Sequence, residues 1–289
     1  MAFGFCSFSS GSSGNCYFIR SERTAILVDA GISCKRILEG LASTATDPAE
    51  VSALLITHEH SDHVKGVAVL AKKLPALEVF ASYGTWTAID EKVPRERQRL
   101  AESGGLFTIG DIDVLPFAVS HDAAEPLGYS FFHEGKKLSI LTDTGYVSEE
   151  MYARIGGSDF LVLESNYEPE MLLAGRYPYF LKHRIQGEQG HLSNLDAAEV
   201  ICRLTGASAI DSDSASAHCG NCVDSLRADA PGQSRRLTVL LAHLSKENNM
   251  PELAYQTVKN CLEERDVFVG DDLQLEVLLR DRIGSFYCL

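Results

Sequence analysis

Residues 57–63 read Thr57-His58-Glu59-His60-Ser61-Asp62-His63, and this stretch decides the fold. It follows the apolar run Ala53 to Ile56, which predicts a short buried strand, and it precedes Val64 to Leu74, whose apolar positions predict a helix. Neutral imidazole and ionised carboxylate are the usual protein ligands of divalent metals such as zinc. So many of these groups on one strand-to-helix turn predict a metal site, and a polar loop without metal explains that density poorly.

The order of residues within the turn predicts more than one metal ion. In an extended turn the side chains of His58 and His60 project to the same side, whereas Asp62 and His63 begin the next turn. The two pairs of side chains can therefore serve two adjacent cations.

The composition describes a globular protein with an acidic surface. The 289 residues, of which 45% are hydrophobic and 23% charged, are enough for a large core in one domain or two. The formal net charge of −14 argues against broad, sequence-independent coating of nucleic acid, because phosphates need Lys and Arg opposite them. It leaves open a nuclease in which metal ions and a local basic patch bind the substrate.

Cysteine usage and hydropathy predict the compartment. Eight cysteines are dispersed through the chain, which does not begin with a charged segment followed by an apolar one. This pattern fits reduced thiols in a cytoplasmic protein better than a disulfide framework. No apolar run reaches the roughly 18 residues that a membrane span needs, so we expect no membrane partner.

Further candidate ligands follow predicted strands elsewhere in the chain. His121, Asp143 and His243 each come directly after such a strand. Strands that alternate with helices in two sets predict two sheets packed face to face with helices outside. Loops at one edge of a sheet layer are where these side chains can converge.

The chain before the metal turn supplies a loop and a carboxylate. Ser9 to Asn15 is a glycine-rich turn whose backbone N–H groups could face an anion, but it lacks the spacing of a nucleotide-binding loop and fits a plain turn as well. Asp29 ends a predicted buried strand. Its carboxylate either caps the next turn or supports a site by holding one of its ligands.

The segment Tyr167 to Gly190 reads as polar, irregular and locally basic. Arg176, Lys182 and Arg184 lie close together in it and offer this acidic chain a counter-charge to phosphate. A solvated face explains the three residues equally well.

The segment Ala207 to Arg236 predicts a flexible insertion, because it contains almost no large apolar residues. Cys219 and Cys222 form a C-x-x-C pair within it. One such pair, without a second at zinc-ribbon spacing, is a weak signal for a structural metal or a redox role.

Together these motifs resemble the metallo-β-lactamase superfamily over nearly the whole chain. Residues 58–63 match its H-x-H-x-D-H signature, which is highly specific. Asp29, His121, Asp143 and His243 match its first, third, fourth and fifth motifs. Within the superfamily the chain more closely resembles the bacterial YycJ/VicX/WalJ-like family, encoded beside a two-component signalling system. Four stretches carry that similarity: Ser10-Gly11-Ser12-Ser13-Gly14-Asn15, Leu163-Glu164-Ser165-Asn166, Gly190-His191-Leu192-Ser193-Asn194 and Leu241-Ala242-His243-Leu244-Ser245.

The resemblance implies an α+β fold, the αββα sandwich, with two mixed β-sheets face to face and helices outside, as a single domain over residues 1–289. It also implies two divalent metal ions, and zinc, manganese and iron all accept the implied donor set. The implied ligands are His58, His60 and His121 for one ion, Asp62, His63 and His243 for the other, and Asp143 bridging both. Asp29 would hold a ligand from behind.

Our hypothesis is a two-metal phosphodiesterase, namely an exonuclease-like DNA nuclease. A carboxylate at the bridge is typical of the phosphodiesterase and thioesterase branches, so antibiotic hydrolysis is disfavoured. A hydroxide bridging the metals would attack phosphorus, and Asp62 would orient it. Glu164 and His191 resemble the acid/base pair of the tRNA-processing branch, in which His191 would protonate the leaving oxygen; the alternative is a helix cap and a structural contact. Three basic residues would hold the nucleic-acid backbone: Arg176, Lys182 and Arg184.

Two rival functions share the same ligands. A thioester hydrolase of the glyoxalase II type would leave Glu164 and His191 without a purpose, so replacing His191 should scarcely affect it. A non-catalytic regulatory protein linked to two-component signalling would bind metal and hydrolyse no phosphodiester.

Overall fold

The computed structural model describes residues 3–207 and 236–289. Within them lie fourteen strands, numbered in chain order: β1 (Gly4–Ser9), β2 (Cys16–Arg20), β3 (Ala25–Val28), β4 (Val51–Leu55), β5 (Glu78–Ala81), β6 (Gln98–Leu100), β7 (Phe107–Ile109), β8 (Ile112–Ala118), β9 (Leu127–His133), β10 (Lys136–Leu141), β11 (Phe160–Glu164), β12 (Leu237–Ala242), β13 (Leu273–Val277) and β14 (Phe286–Cys288). The described α-helices are α1 (Cys34–Ser43), α2 (Ser61–Val64), α3 (Val67–Lys73), α4 (Tyr83–Ile89), α5 (Glu149–Ile155), α6 (Pro169–Ala174), α7 (Tyr179–Gln186), α8 (Asn194–Leu204) and α9 (Pro251–Glu263).

The strands form two mixed sheets of seven. Their orders are β14-β1-β2-β3-β4-β5-β6 and β13-β12-β11-β10-β9-β8-β7. In the first sheet, pairing is antiparallel from β14 to β3 and parallel from β3 to β6. In the second, it is antiparallel from β7 to β10 and parallel from β10 to β13. Each sheet therefore changes from antiparallel to parallel pairing at one strand, β3 or β10.

Three apolar layers hold the sheets and helices together. The inner faces meet in one cluster, in which Phe5 and Tyr17 of the first sheet join Tyr129 and Ile140 of the second. The outer face of the first sheet packs against α1, α3 and α4, and that of the second against α5, α8 and α9. Apolar area removed from water on both faces of each sheet is the main favourable term for such a sandwich. The predicted αββα fold is confirmed.

The carboxyl ends of the parallel strands carry the polar residues singled out above. Asp29 follows β3, the metal turn follows β4, and Asp143 and His243 follow β10 and β12. Asp29, Asp143 and His243 have φ values of 61°, 57° and 55°. Left-handed backbone is uncommon outside glycine and clusters at functional sites, where the surrounding structure holds it in place.

The helix predicted for Val64 to Leu74 is confirmed as α3, but its predicted start is wrong, because Val64 ends the separate short helix α2. Gly66 lies between them, its N–H donates to the carbonyl of Ala30 at 2.7 Å, and a Cβ at this position would lie 2.3 Å from the carbonyl oxygen of Ile32. The turn thus packs against the chain after β3 at a distance that only glycine permits.

The prediction of an irregular segment at Tyr167 to Gly190 is also wrong, since α6 and α7 lie in it. None of the residues of α7 is buried, so the helix has no apolar stripe from which to recognise it.

The predicted insertion at 207–236, with Cys219 and Cys222, falls almost entirely outside the described residues. Among the helices of the described ranges, none combines the length and apolar character that a membrane crossing requires.

Candidate metal centre

The turn after β4 is held from behind by Asp29, which is fully buried. Its carboxylate accepts hydrogen bonds from the Thr57 backbone N–H at 2.9 Å and from the Thr57 hydroxyl at 2.9 Å. It also accepts one from Nδ1 of His63 at 2.7 Å. Because Nδ1 of His63 is used in this way, its Nε2 is the nitrogen available to a cation.

A first group of ligand atoms belongs to His58, His60 and His121, and these atoms lie within 4.8 Å of one another. Nδ1 of His60 lies 3.3 Å from Nε2 of His121. His121 donates from Nδ1 to the carbonyl of Gly190 at 3.1 Å, which directs its Nε2 toward the other two rings.

A second group belongs to Asp62, His63 and His243, again within 4.8 Å. Oδ2 of Asp62 lies 3.6 Å from Nε2 of His63 and 3.5 Å from Nε2 of His243. Two imidazoles and a carboxylate are an ordinary donor set for a divalent transition metal.

Asp143 lies between the two groups. Its Oδ2 is 3.4 Å from Nε2 of His63, and its Oδ1 is 3.8 Å from Nε2 of His121. Its carboxylate thus approaches one imidazole from each group.

Two buried polar atoms support metal binding at this cluster. Nε2 of His58 and Oδ2 of Asp143 find no hydrogen-bond partner among the described residues. A buried nitrogen or carboxylate oxygen without a partner costs free energy, which a coordinated cation offsets. The side chains present therefore fit a divalent metal, and they offer it nitrogen and oxygen donors.

The surroundings shift the pKa values of two imidazoles of the cluster in opposite directions. Burial lowers the pKa of His63, but the carboxylates of Asp29 and Asp143 outweigh it and raise that pKa to about 9. Burial and the neighbouring imidazoles hold the pKa of His58 well below its usual value. Metal binding at His63 therefore displaces a proton at neutral pH, whereas His58 is already neutral.

Glu164 ends β11 and contacts two imidazoles at once. Its Oε1 accepts from Nδ1 of His191 at 2.8 Å and from Nδ1 of His243 at 2.9 Å. Its Oε2 accepts from the backbone N–H groups of Thr144 at 3.0 Å and Leu192 at 3.2 Å. The sequence predicted a contact with His191; the contact with His243 was not anticipated.

Electrostatics favour an ionised Glu164 beside a protonated His191. Burial raises the pKa of Glu164, but His191 and its hydrogen bond lower that pKa well below its usual value. Burial lowers the pKa of His191, and the charge of Glu164 outweighs it and raises that pKa. A proton on Nδ1 of His191 is thus held by Glu164, which leaves Nε2 for other contacts.

A cavity of about 220 Å³ opens beside the cluster. Ser12, Asp62, Arg184 and His191 are among the residues that line it. Of the three predicted backbone-binding residues, Arg184 is therefore at the cavity, where its Nε donates to Asp122 at 2.5 Å. The other two are not among its lining residues: Lys182 donates to the carbonyl of Leu173 at 2.6 Å, and Arg176 is exposed.

Residues of the Ser9 to Asn15 loop were not predicted to support the metal cluster. The backbone N–H of Asn15 donates to the carbonyl of Asp62 at 2.8 Å, and the hydroxyl of Ser10 accepts from the backbone N–H of His243 at 2.9 Å. The loop thus connects Asp62 with His243. The Ser-Gly-Ser-Ser-Gly-Asn stretch was the signal for it, although the partners cannot be identified from sequence spacing.

Asn166 is a further supporting residue outside the predicted set. Its side-chain amide donates to the carbonyl of His243 at 2.8 Å, and it stabilises the left-handed backbone at that residue.

Comparison with known proteins identifies the family of the chain. A family model described as a beta-lactamase superfamily domain matches residues 24–210. The chain is 38% identical over 280 residues to the exodeoxyribonuclease WalJ of Streptococcus pneumoniae serotype 2, covering 95% of this chain and 94% of that protein. It is 38% identical over 278 residues to the exodeoxyribonuclease YycJ of Bacillus anthracis, covering 95% of each. The metallo-beta-lactamase fold protein YhfI from Bacillus subtilis shares the fold, with a TM-score of 0.68 at 12% identity over 99% of this chain and 100% of that one.

Proposed function

The chain belongs to the beta-lactamase superfamily, in the family of the exodeoxyribonucleases WalJ and YycJ, and from this premise we propose that it is a metal-dependent phosphodiesterase that degrades DNA from its ends. The observation that carries the proposal is the contact between Glu164 and His191. An imidazole held at 2.8 Å by a buried carboxylate, beside a cluster of metal ligands, suits a proton donor to a leaving group.

Two divalent cations are proposed to bind, one at each group of ligands. His58, His60 and His121 would hold one, and the second would be held by Asp62, His63 and His243, with Asp143 shared. When bound, such cations lower the pKa of water to supply a nucleophile and offset charge on the phosphoryl group. Zinc, manganese and iron all suit these nitrogen and oxygen donors.

His191 is proposed to act as the general acid. Glu164 keeps the imidazole protonated and fixes its orientation through Nδ1. Nε2 can then donate its proton to the leaving oxygen as the phosphodiester bond breaks. General acid catalysis of this kind contributes about 10²- to 10⁴-fold in rate.

The cavity is smaller than the pockets that usually enclose a whole small ligand. Pockets that enclose a whole small ligand usually measure about 300–1,000 Å³, whereas this one measures about 220 Å³. It suits the scissile phosphate and its immediate neighbours, and the rest of a DNA chain would lie on the surface outside.

An activity panel on metal-loaded protein tests the proposal. The substrates are end-labelled single- and double-stranded DNA, RNA, a chromogenic phosphodiester and a thioester. We expect stepwise shortening of DNA from an end and hydrolysis of the chromogenic phosphodiester. Thioester cleavage alone would favour the glyoxalase II type of enzyme, and stoichiometric metal without any hydrolysis would favour a regulatory protein; either result overturns the proposal.

Replacement of His191 tests the proton donor. We expect His191→Ala to lower kcat on DNA by about 10²- to 10⁴-fold with unchanged metal content. The loss should shrink on a chromogenic phosphodiester, because nitrophenolate leaves without needing a proton. His133→Ala is the matched control, since His133 contacts Asp111 outside the cluster. An equal loss on both substrates, or lost metal, would contradict the role.

A further inference from the structure

Helix α7 exposes two adjacent aromatic side chains. All eight of its residues are at least partly exposed, and the side chains of Tyr179 and Phe180 are 77% and 74% exposed. Large aromatic side chains strongly favour burial, so two adjacent ones at this exposure indicate a surface that contacts something else.

The helix is nevertheless fixed in place by polar contacts. Arg184 donates to Asp122, and Lys182 donates to the carbonyl of Leu173 at 2.6 Å. The ring of Tyr179 packs edge-on against His183, with ring centroids 4.3 Å apart. The aromatic side chains therefore project from a helix whose position is fixed.

The chain segment that contains α7 is cationic, although Glu170 and Glu188 flank it and Asp122 pairs with Arg184. From Met171 to Gly187 the chain has three cationic residues and no carboxylate, although its formal net charge is −14. This segment consequently attracts an anionic partner that the remaining surface repels. Aromatic rings interleaved with basic residues are typical of surfaces that bind single-stranded nucleic acid.

The end of α7 leads into the cavity. Arg184 and Ile185 line it, and so does His191, whose backbone N–H donates to the carbonyl of Ile185 at 2.9 Å. Phe180 lies four residues before Arg184, so the two side chains are neighbours on one face of the helix. When a phosphate binds at Arg184, the ring of Phe180 therefore lies about one helical turn farther from the cavity.

We infer that α7 binds a single strand of nucleic acid: bases stack on Tyr179 and Phe180 while Arg184 contacts the backbone near the scissile phosphate. The inference rests on the proposed function for its substrate class, and it adds the strandedness and the path of the substrate. Eight residues of helix span about 12 Å. At roughly 3.4 Å per stacked nucleotide, that length accommodates about three or four nucleotides beyond the cleaved bond.

Binding measured by fluorescence anisotropy tests the inference. The probe is a labelled single-stranded oligodeoxynucleotide with phosphorothioate linkages, longer than the helix, added to metal-loaded full-length protein. We expect Tyr179→Ala and Phe180→Ala each to raise Kd by about 5- to 100-fold, because base–aromatic stacking contributes on that scale. A dinucleotide and a blunt duplex should show little of this effect, since neither offers an unpaired base to the rings.

Phe268→Ala is the matched control. Phe268 is 45% exposed and precedes β13. It therefore lies near the amino end of that strand, whereas the cavity lies at the carboxyl ends of the parallel strands. We expect its Kd to equal that of the wild type, and a parallel RNA probe distinguishes a DNA-specific surface from a general one. Unchanged Kd in both α7 variants overturns the inference, as does a change in oligomeric state with unchanged Kd, which would identify the surface as an interface between copies of the chain.

The two proposals fail separately. Wild-type protein that binds the oligonucleotide through α7 but hydrolyses no phosphodiester would overturn the proposed function alone. If the wild-type protein degrades DNA and the α7 variants keep its Kd and KM, the α7 inference alone is overturned.

Discussion

The strands β3 and β10 occupy the same place in the two sheets, and each is followed by an aspartate in the left-handed region. Both strands lie where antiparallel pairing changes to parallel pairing. Asp29 has φ 61° and Asp143 has φ 57°. The two halves of the molecule thus use the same backbone feature to turn a carboxylate toward one site.

The two carboxylates differ in the partners they have. Asp29 accepts hydrogen bonds from Thr57 and His63 and is satisfied by the protein. Oδ2 of Asp143 is buried without a hydrogen-bond partner among the described residues. The first sheet therefore uses its aspartate to orient His63, whereas the second sheet leaves one carboxylate oxygen of its aspartate open.

The largest effect is expected at the open carboxylate. Asp143→Asn removes the negative charge that lies between both ligand groups, so we expect fewer than two metal ions per chain. We also expect hydrolysis to fall by more than about 100-fold, which is the largest loss usual for a residue that only supports a metal ligand. Metal analysis and phosphodiester turnover measure both effects. The control is Asp113→Asn, which removes a carboxylate on β8 that accepts a hydrogen bond from Thr108 on β7. Full metal content and activity in Asp143→Asn would remove the difference between the two aspartates.

An intermediate effect is expected at Glu164, because its carboxylate contacts both His243 and the proposed proton donor His191. Glu164→Gln should weaken metal binding by about 10- to 100-fold through His243. It should also lower kcat at saturating metal, because His191 loses the charge that keeps it protonated. Metal titration and kcat at saturating metal separate the two losses. Glu276→Gln, which pairs with Tyr287 outside the site, should change neither. A loss of metal affinity with unchanged kcat would restrict Glu164 to a supporting role.

The smallest effect is expected at Asp29, whose carboxylate already accepts hydrogen bonds from Thr57 and His63. Asp29→Asn should weaken metal binding by about 10-fold, at the lower end for such a partner, because an amide still accepts from Thr57 but holds His63 less firmly. Saturating metal should restore most of kcat. Competition with a chelator of known affinity measures the change, with Asp47→Asn as the control for losing a carboxylate that accepts a backbone N–H. A loss as large as that of Asp143→Asn would show that both aspartates act on the cations directly.

The residues nearest one another in sequence were the most predictable. The metal turn could be recognised because its donors lie within six residues and follow an apolar strand. Joining Asp143 and His243 to that turn required the family resemblance, since no local pattern indicates contacts between ends of different strands.

The supporting contacts were not predictable, for a physical reason. Ser10 bonds a backbone N–H that is 233 residues away, and such a partner leaves no trace in spacing or composition. Helix α7 was missed because it buries no side chain and so lacks apolar periodicity. The short edge strand β14 was missed for a related reason, since two of its three residues are exposed.

Anomalous X-ray diffraction from crystals of the metal-loaded protein tests whether two cations bind at these ligand groups. We predict two anomalous peaks: one among His58, His60 and His121, and one among Asp62, His63 and His243, with Asp143 in contact with both. A single peak, or peaks away from these side chains, would rule out the two-metal centre.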